Sequence, residues 1–258
     1  MLVISDTVIS CLESRRLVSV SGIEEFAGAE EIVLDDGEVL CVDAVIWCTG
    51  YTADFSLLDP RFDPTAKSSA AWNELQGSRG RPLPRLYKNI FSLERPESLA
   101  FIGYVAFPSP AFQTQDLASM ALAQIWKGNA KLPSAEKMQR EVEAHERWMC
   151  KLARRGRVHP AWVSWPGWVG WANQTTGTVL EENVGCGVQG WRFWAREKDL
   201  YKAVMDGVYS PHIFRLFETG KRKTWAGAAE KIFRVNEKRS DKKLGKKGEE
   251  MRLLCFRR

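Results

Sequence analysis

The chain has 258 residues, 45% of them hydrophobic and 27% charged, with 20 Gly and 11 Pro; this is globular composition with room for one large domain or two small ones, and it excludes disordered, collagen-like and disulfide-scaffold classes. The formal net charge is +5, and residues 237–258, with nine Lys or Arg and four acids, carry all of it. No apolar run approaches the roughly 18 to 20 residues that span a bilayer, the first residues lack the regions of a secretory leader, and the six cysteines are scattered without a CxxC pair, so a cytoplasmic chain with reduced thiols and no metal site is expected.

The first fifty residues read as short strands. β-Formers cluster at 17–20 and 31–34, and Asp35-Asp36-Gly37 before Val39-Leu40 predicts a tight turn closing a hairpin. Five consecutive apolar residues at 44–48 predict a strand buried on both faces, ending at Thr49-Gly50, where a missing side chain lets a ligand approach the backbone. From 52 to 84 periodicity is lost among Pro60, Pro64, Gly77, Gly80, Pro82 and Pro84, which predicts a long irregular excursion. A second buried strand is expected at 99–103. Thr114 is a candidate N-cap for a helix through Trp126, with Leu117, Met120, Ala121 and Ile125 on one face and Gly128 just past its end.

The remainder reads as helical. Ser134 caps a long helix striped by Met138, Val142, Met149 and Leu152, with Glu136 and Arg140 spaced to pair and Gly156 beyond its end. Ser210-Pro211 predicts another helix closed by Gly220, and Thr224 starts one more reaching Asn236. The basic stretch 237–258 is expected to be a solvated disordered tail, with an arm for an acidic partner as the other reading.

Several patterns invite chemistry. Gly185-Cys186-Gly187-Val188-Gln189-Gly190 satisfies GxGxxG, but Glu181-Glu182-Asn183 before it cannot form the buried strand that a dinucleotide fingerprint requires. It reads instead as a glycine turn leading into a helix around 194–204. Trp162, Trp165, Trp168 and Trp171 recur every third residue among Pro166, Gly167 and Gly170, which predicts a loop laying indoles on a core or lining an apolar channel. His145, His159 and His212 are too far apart for a helical metal pair, nothing local activates Cys150 with His159, and Asp35-Asp36 belongs to its turn.

Residues 43–51, DAVIWCTGY, resemble the strand-plus-TGY signature of flavin-containing monooxygenases and the related Baeyer-Villiger enzymes. The Asp36-Gly37 hairpin, residues 86–91, residues 98–103 and Asp116-Leu117-Ala118 follow in the order of that family's last third, over residues 1 to about 130. The resemblance implies an α/β fold: a partial two-dinucleotide-binding-domain (FAD/NAD(P)-binding) flavoprotein with a helical C-terminal region. It implies the end of an NADP-binding domain and return strand at 1–52, an FAD-domain return segment at 53–130, a helical region at 131–236 and the basic tail at 237–258. The implied cofactors are FAD and NADP: NADPH would reduce FAD, and a flavin hydroperoxide would oxygenate a soft nitrogen, sulfur or carbonyl substrate. By resemblance Thr49, Gly50, Tyr51, Gly103, Gln113, Thr114 and Gln115 would contact flavin or nicotinamide, and no residue matches an acid, base or nucleophile. The family's glycine motifs for FAD and NADPH do not precede Asp43, so the chain is expected to be a C-terminal half with little turnover alone. An interaction protein derived from such a flavoprotein, its tail on an acidic partner, is the alternative.

Overall fold

The computed structural model describes residues 7–48, 53–106, 111–217, 224–245 and 253–256. The chain divides into two units, one of Met1–Asp54 with Gly245–Arg258 and the other of Phe55–Leu244.

The first unit begins with a short helix, α1 (Val8–Glu13), and strand β1 (Leu17–Val20), followed by an antiparallel sheet of β2 (Ile23–Phe26), β3 (Glu31–Leu34) and β4 (Val39–Cys41) in that order. The predicted hairpin forms because Gly37 takes φ +84, a conformation that costs glycine little, and its N–H reaches the Leu34 carbonyl at 2.8 Å. The Asp36 carboxylate accepts from the Glu38 N–H at 3.2 Å, which confirms its role in the turn. Alternation puts Ile32 and Leu34 on the buried face. With Leu17 they are the buried hydrophobic side chains among the unit's described residues.

Residues 44–48 are not the expected buried strand. They have no hydrogen-bonded strand neighbour among the described residues, and Ile46 and Trp47 are 71% and 56% exposed. Apolar β-formers make a strand only where flanking strands take up their N–H and C=O groups. Here the Trp47 ring meets only Phe26 among the recorded ring contacts, at 6.1 Å.

In the second unit the excursion before Pro84 is irregular, as predicted, but it is anchored. Helix α2 (Ala70–Asn73) is capped by the Ser69 hydroxyl, which accepts from the Trp72 N–H. Trp72 is fully buried and donates its indole N–H to the Arg81 carbonyl at 2.7 Å. It packs with Leu83, Met149, Cys150, Ala153 and Val158 as a secondary core. Strands β5 (Leu86–Tyr87) and β6 (Phe91–Ser92) form a second hairpin. Lys88 and Asn89 both have positive φ in its turn, the mirror-image geometry that matches strand twist. Residues 99–103 contribute one bridge, Ala100 to Phe91, rather than a buried strand, and Ile102 is 44% exposed.

Helix α3 (Ala111–Trp126) starts three residues before the predicted cap. Thr114 lies inside it and its hydroxyl donates back to the Ala111 carbonyl. Gly128 follows the end with φ +81, as expected. Helix α4 (Ala135–Ala153) has the predicted cap, Ser134 accepting from the Lys137 N–H, and buries Met138, Val142 and Met149. Its carboxylates Glu141 and Glu146 pair with Lys88 and Arg85 at 2.8 and 2.7 Å.

The tryptophan repeat is helical rather than a loop. Helix α5 (Trp165–Thr176) carries Pro166 in its first turn, where a missing N–H breaks no intrahelical bond. Successive rings of Trp165, Trp168 and Trp171 then lie 5.9 and 6.0 Å apart. The packing half of the expectation holds for Trp168, which is 4% exposed and donates its indole N–H to the Lys88 carbonyl at 2.9 Å.

Helices α6 (Leu180–Val184), α7 (Val188–Arg196) and α8 (Lys198–Met205) follow. Residues Pro211–Arg215 form one 3-10 turn rather than a helix, and Gly220 lies outside the described residues. Helix α9 (Ala228–Gly245) begins after Thr224 and runs past Asn236 into the stretch expected to be disordered. Further on, β7 (Leu253–Phe256) pairs in parallel with β1. The main core joins α3, α4 and α5 to the β5–β6 hairpin, with Phe193, Leu200, Phe214 and Ile232 from later elements.

Two predictions follow from the second unit's packing. A Cβ on Gly77 would overlap the Ala153 and Gly156 carbonyl oxygens, both backbone atoms that cannot swing aside. Gly77→Ala is therefore expected to cost about 1–3 kcal/mol in a denaturant melt. His145 has a buried Nε2 without a partner, and burial, then the Lys88 charge, push its pKa from 6.5 down to about 4. Between those values the unfolded chain takes up a proton that the folded chain refuses. This contribution is thus complete above about pH 6.5 and is lost as pH falls toward 4, to the extent of about 3 kcal/mol. His145→Gln is expected to flatten the fall of stability across that window; an unchanged slope would assign the fall to other groups.

Candidate functional site

Of the residues that resemblance assigns to cofactor contact, Thr49, Gly50 and Tyr51 lie outside the described residues. Gly103, Gln113, Thr114 and Gln115 lie in the second unit, where two segments meet. Gly103 takes φ +125, and a Cβ there would meet nothing within 4 Å. A left-handed backbone beside open space is a place where glycine serves close approach.

The chain that follows is fixed on both sides. Ala106 donates to the Ala161 carbonyl at 2.8 Å and accepts from the Val163 N–H at 3.3 Å. Tyr104 stacks on Phe55, with centroids 5.6 Å apart. Burial, then the nearby Asp63 carboxylate, raise the Tyr104 phenol's pKa, so it remains a neutral donor. From α3, the Gln115 Nε2 donates to the Val105 carbonyl at 3.0 Å, tying the segment after Gly103 to the helix head.

Within that head Gln113 and Thr114 are buried, at 3% and 0% exposure. Gln115 Oε1 and Asp116 Oδ2 are buried oxygens without a hydrogen-bond partner among the described residues, while Asp116 Oδ1 accepts from Arg215 at 2.6 Å. Unpartnered buried acceptors ask for a donor. Two such acceptors at the start of α3 leave its hydrogen bonding open to a donor that the described residues do not supply. Sequence reasoning missed Asp116 and Arg215, because residues 99 positions apart give no local signal of pairing.

Other sequence patterns carry no chemistry. The GxGxxG stretch joins α6 to α7, and a Cβ on Gly190 would overlap the Gly185 carbonyl oxygen. Backbone thus fills the space a pyrophosphate needs, and the motif serves as the glycine turn that its context predicts. Burial, then Glu146, raise the Cys150 thiol's pKa, and the His159 Nδ1 accepts from the Ala161 N–H, so neither is poised for nucleophilic work. Cys41, Cys48 and Cys186 are exposed free thiols, and Cys150 is a buried one. Among the described residues no group of three or more His, Cys, Asp or Glu is placed to hold a metal, and no helix is long and apolar enough to cross a membrane.

The family model described as flavin-binding monooxygenase-like matches residues 2–251, and the chain belongs to that family. A flavoprotein fold and a flavin cofactor go with that membership. Among individual relatives, the "Monooxygenase aurF" of Gibberella zeae is 40% identical over 236 residues, which are 92% of this chain and 45% of that protein. "Flavin-containing monooxygenase 3" of Oryctolagus cuniculus is 30% identical, over 81% of this chain and 35% of its own. The S-allyl-L-cysteine S-oxygenase of Allium sativum aligns in structure with a TM-score of 0.43 and 19% identity, over 85% of this chain and 43% of that one. The chain spans less than half the length of these relatives.

Gln115→Leu removes the bond to the Val105 carbonyl and leaves that carbonyl without its donor. The expected cost is about 1–3 kcal/mol, read as a lower thermal midpoint; an unchanged midpoint would show that the tie does not hold the two segments.

Proposed function

We propose that the chain is the C-terminal portion of a flavin-dependent monooxygenase with FAD and NADP as cofactors. Bound FAD, reduced by NADPH, supplies the oxygen-activating chemistry, and the substrate is a soft nitrogen, sulfur or carbonyl compound. The observation that carries this reading is the match of residues 2–251 to a flavin-binding family, and it is supported by two buried oxygens, Gln115 Oε1 and Asp116 Oδ2, without a partner among the described residues, on a helix tied by Gln115 to the segment after Gly103.

These residues fit one edge of a flavin. Gln115 and Asp116 accept its N–H and hydroxyl groups, Gly103 admits its ring close to the backbone, and Gln113 and Thr114 shape the helix beneath. The Asp116–Arg215 pair fixes the carboxylate so that Oδ2 is presented in one orientation. The phosphates are another matter, because no strand leading into a glycine turn and helix occurs among the described residues, and that element supplies most of the anion-binding N–H groups.

The test compares the 258-residue chain with a fusion that places the N-terminal part of the Gibberella zeae relative ahead of it. The expected result is that FAD stays with the fusion through gel filtration and supports NADPH oxidation, while the chain alone retains none. Within the fusion, Asp116→Ala is expected to weaken FAD binding about tenfold or more. Tight stoichiometric FAD with turnover by the chain alone would overturn the reading of it as a portion. A folded fusion without FAD would overturn the flavin reading itself.

A further inference from the structure

A cavity of about 350 Å³ opens where residues 130–133 lead into α4, and its lining includes Tyr87, Lys131, Lys137, Trp171 and Thr175. None of these belongs to the group at 103–116, and that volume is within the range of small-molecule sites.

Three features of the lining select the same chemistry. Tyr87 is 3% exposed, yet its hydroxyl has no hydrogen-bond partner among the described residues. The hydroxyl oxygen is not itself cut off from water, so its proton is open to an acceptor in the cavity that Tyr87 lines. Burial, then the Glu141 carboxylate, raise its pKa, so the hydroxyl keeps its proton to donate. Second, the cavity edge at Pro133 adjoins the first turn of α4. Ser134 takes the Lys137 N–H, and the first N–H groups of α4, just beyond the lining, make this the positive end of the helix dipole. Third, Lys131 and Lys137 enter no ion pair among the described residues, whereas neighbouring Lys88 is already held by Glu141 at 2.8 Å. Tyr87, Lys131 and Lys137 thus line one small space. Beside them Trp171, edge-on to Tyr87 at 6.3 Å, supplies a flat apolar wall.

We propose that this cavity binds a small aromatic carboxylate, its oxygens received by the Tyr87 hydroxyl, Lys137 and the first N–H groups of α4, and its ring laid against Trp171. The site is independent of the flavin reading, because every group it uses is furnished by this chain.

The probe is benzoate, titrated calorimetrically into the full 258-residue chain, with cyclohexanecarboxylate and inorganic phosphate as comparators. Saturable one-to-one binding of benzoate is expected, tighter than either comparator and weakened by added salt. Tyr87→Phe deletes only an unpartnered hydroxyl and so preserves the fold, which near-ultraviolet circular dichroism verifies; it is expected to raise the dissociation constant about tenfold, and Lys137→Gln to do likewise. No saturation up to about 10 mM benzoate, or an unchanged affinity in Tyr87→Phe, would overturn the site. Cyclohexanecarboxylate or phosphate binding as tightly as benzoate would overturn the aromatic carboxylate as its ligand.

Discussion

The second unit depends on how the turn of its hairpin is satisfied. Lys88 and Asn89 both run left-handed, which side chains with a Cβ adopt at a cost, and the Lys88 carbonyl is turned toward the interior. Trp168, 80 positions away, meets it with an indole N–H. The Lys88 ammonium in turn pairs with Glu141 of α4 and lies over the rings of Tyr87 and Trp171. One residue therefore joins the hairpin to both helices, and a strained turn persists because its surroundings over-determine it. Helix α3 packs against α5, so the position of its head, with Gln115 and Asp116, is inherited from that junction.

What the sequence reveals follows from whether the signal is local. The Asp-Asp-Gly turn, the Ser134 cap and the stripe of α4 were legible because each is written within a few residues. The tryptophan repeat misled because Pro166 and two glycines resemble helix breakers; the rule that proline is harmless in a first turn applies only once Ser164 is known to precede the helix. Residues 44–48 and 99–103 misled for the opposite reason. Their composition is that of buried strands, but burial is conferred by neighbours, and the described residues provide none for the first segment and one bridge for the second. Of the proposed site, Gly103 and the start of α3 come from the family pattern alone. Asp116 with Arg215, and the meeting of Tyr87 with Lys131, Lys137 and Trp171 around one cavity, are products of long-range packing that no window of sequence contains.

The two glycine-rich positions show how one residue type serves opposite ends. At Gly103 the absent side chain leaves space outside the chain, which is what a bound molecule needs. At Gly190 the same absence is consumed by the Gly185 carbonyl, so the chain itself occupies the gap and two helices turn closely. A pattern of glycines specifies that something comes near the backbone, and only the fold decides whether that is a ligand or the protein.

The first unit buries Leu17, Ile32 and Leu34 among its described residues, few apolar contacts beside those of the second unit's main core. A sheet with so small a buried face is expected to open before that core does, and opening leaves extended chain of the kind a protease active site accepts. In a cell the lifetime of the whole polypeptide would then be set by its least buried hairpin rather than by the tryptophan-rich core, and whatever covers Ile46 and Trp47 would act as a preservative before it acted as anything else.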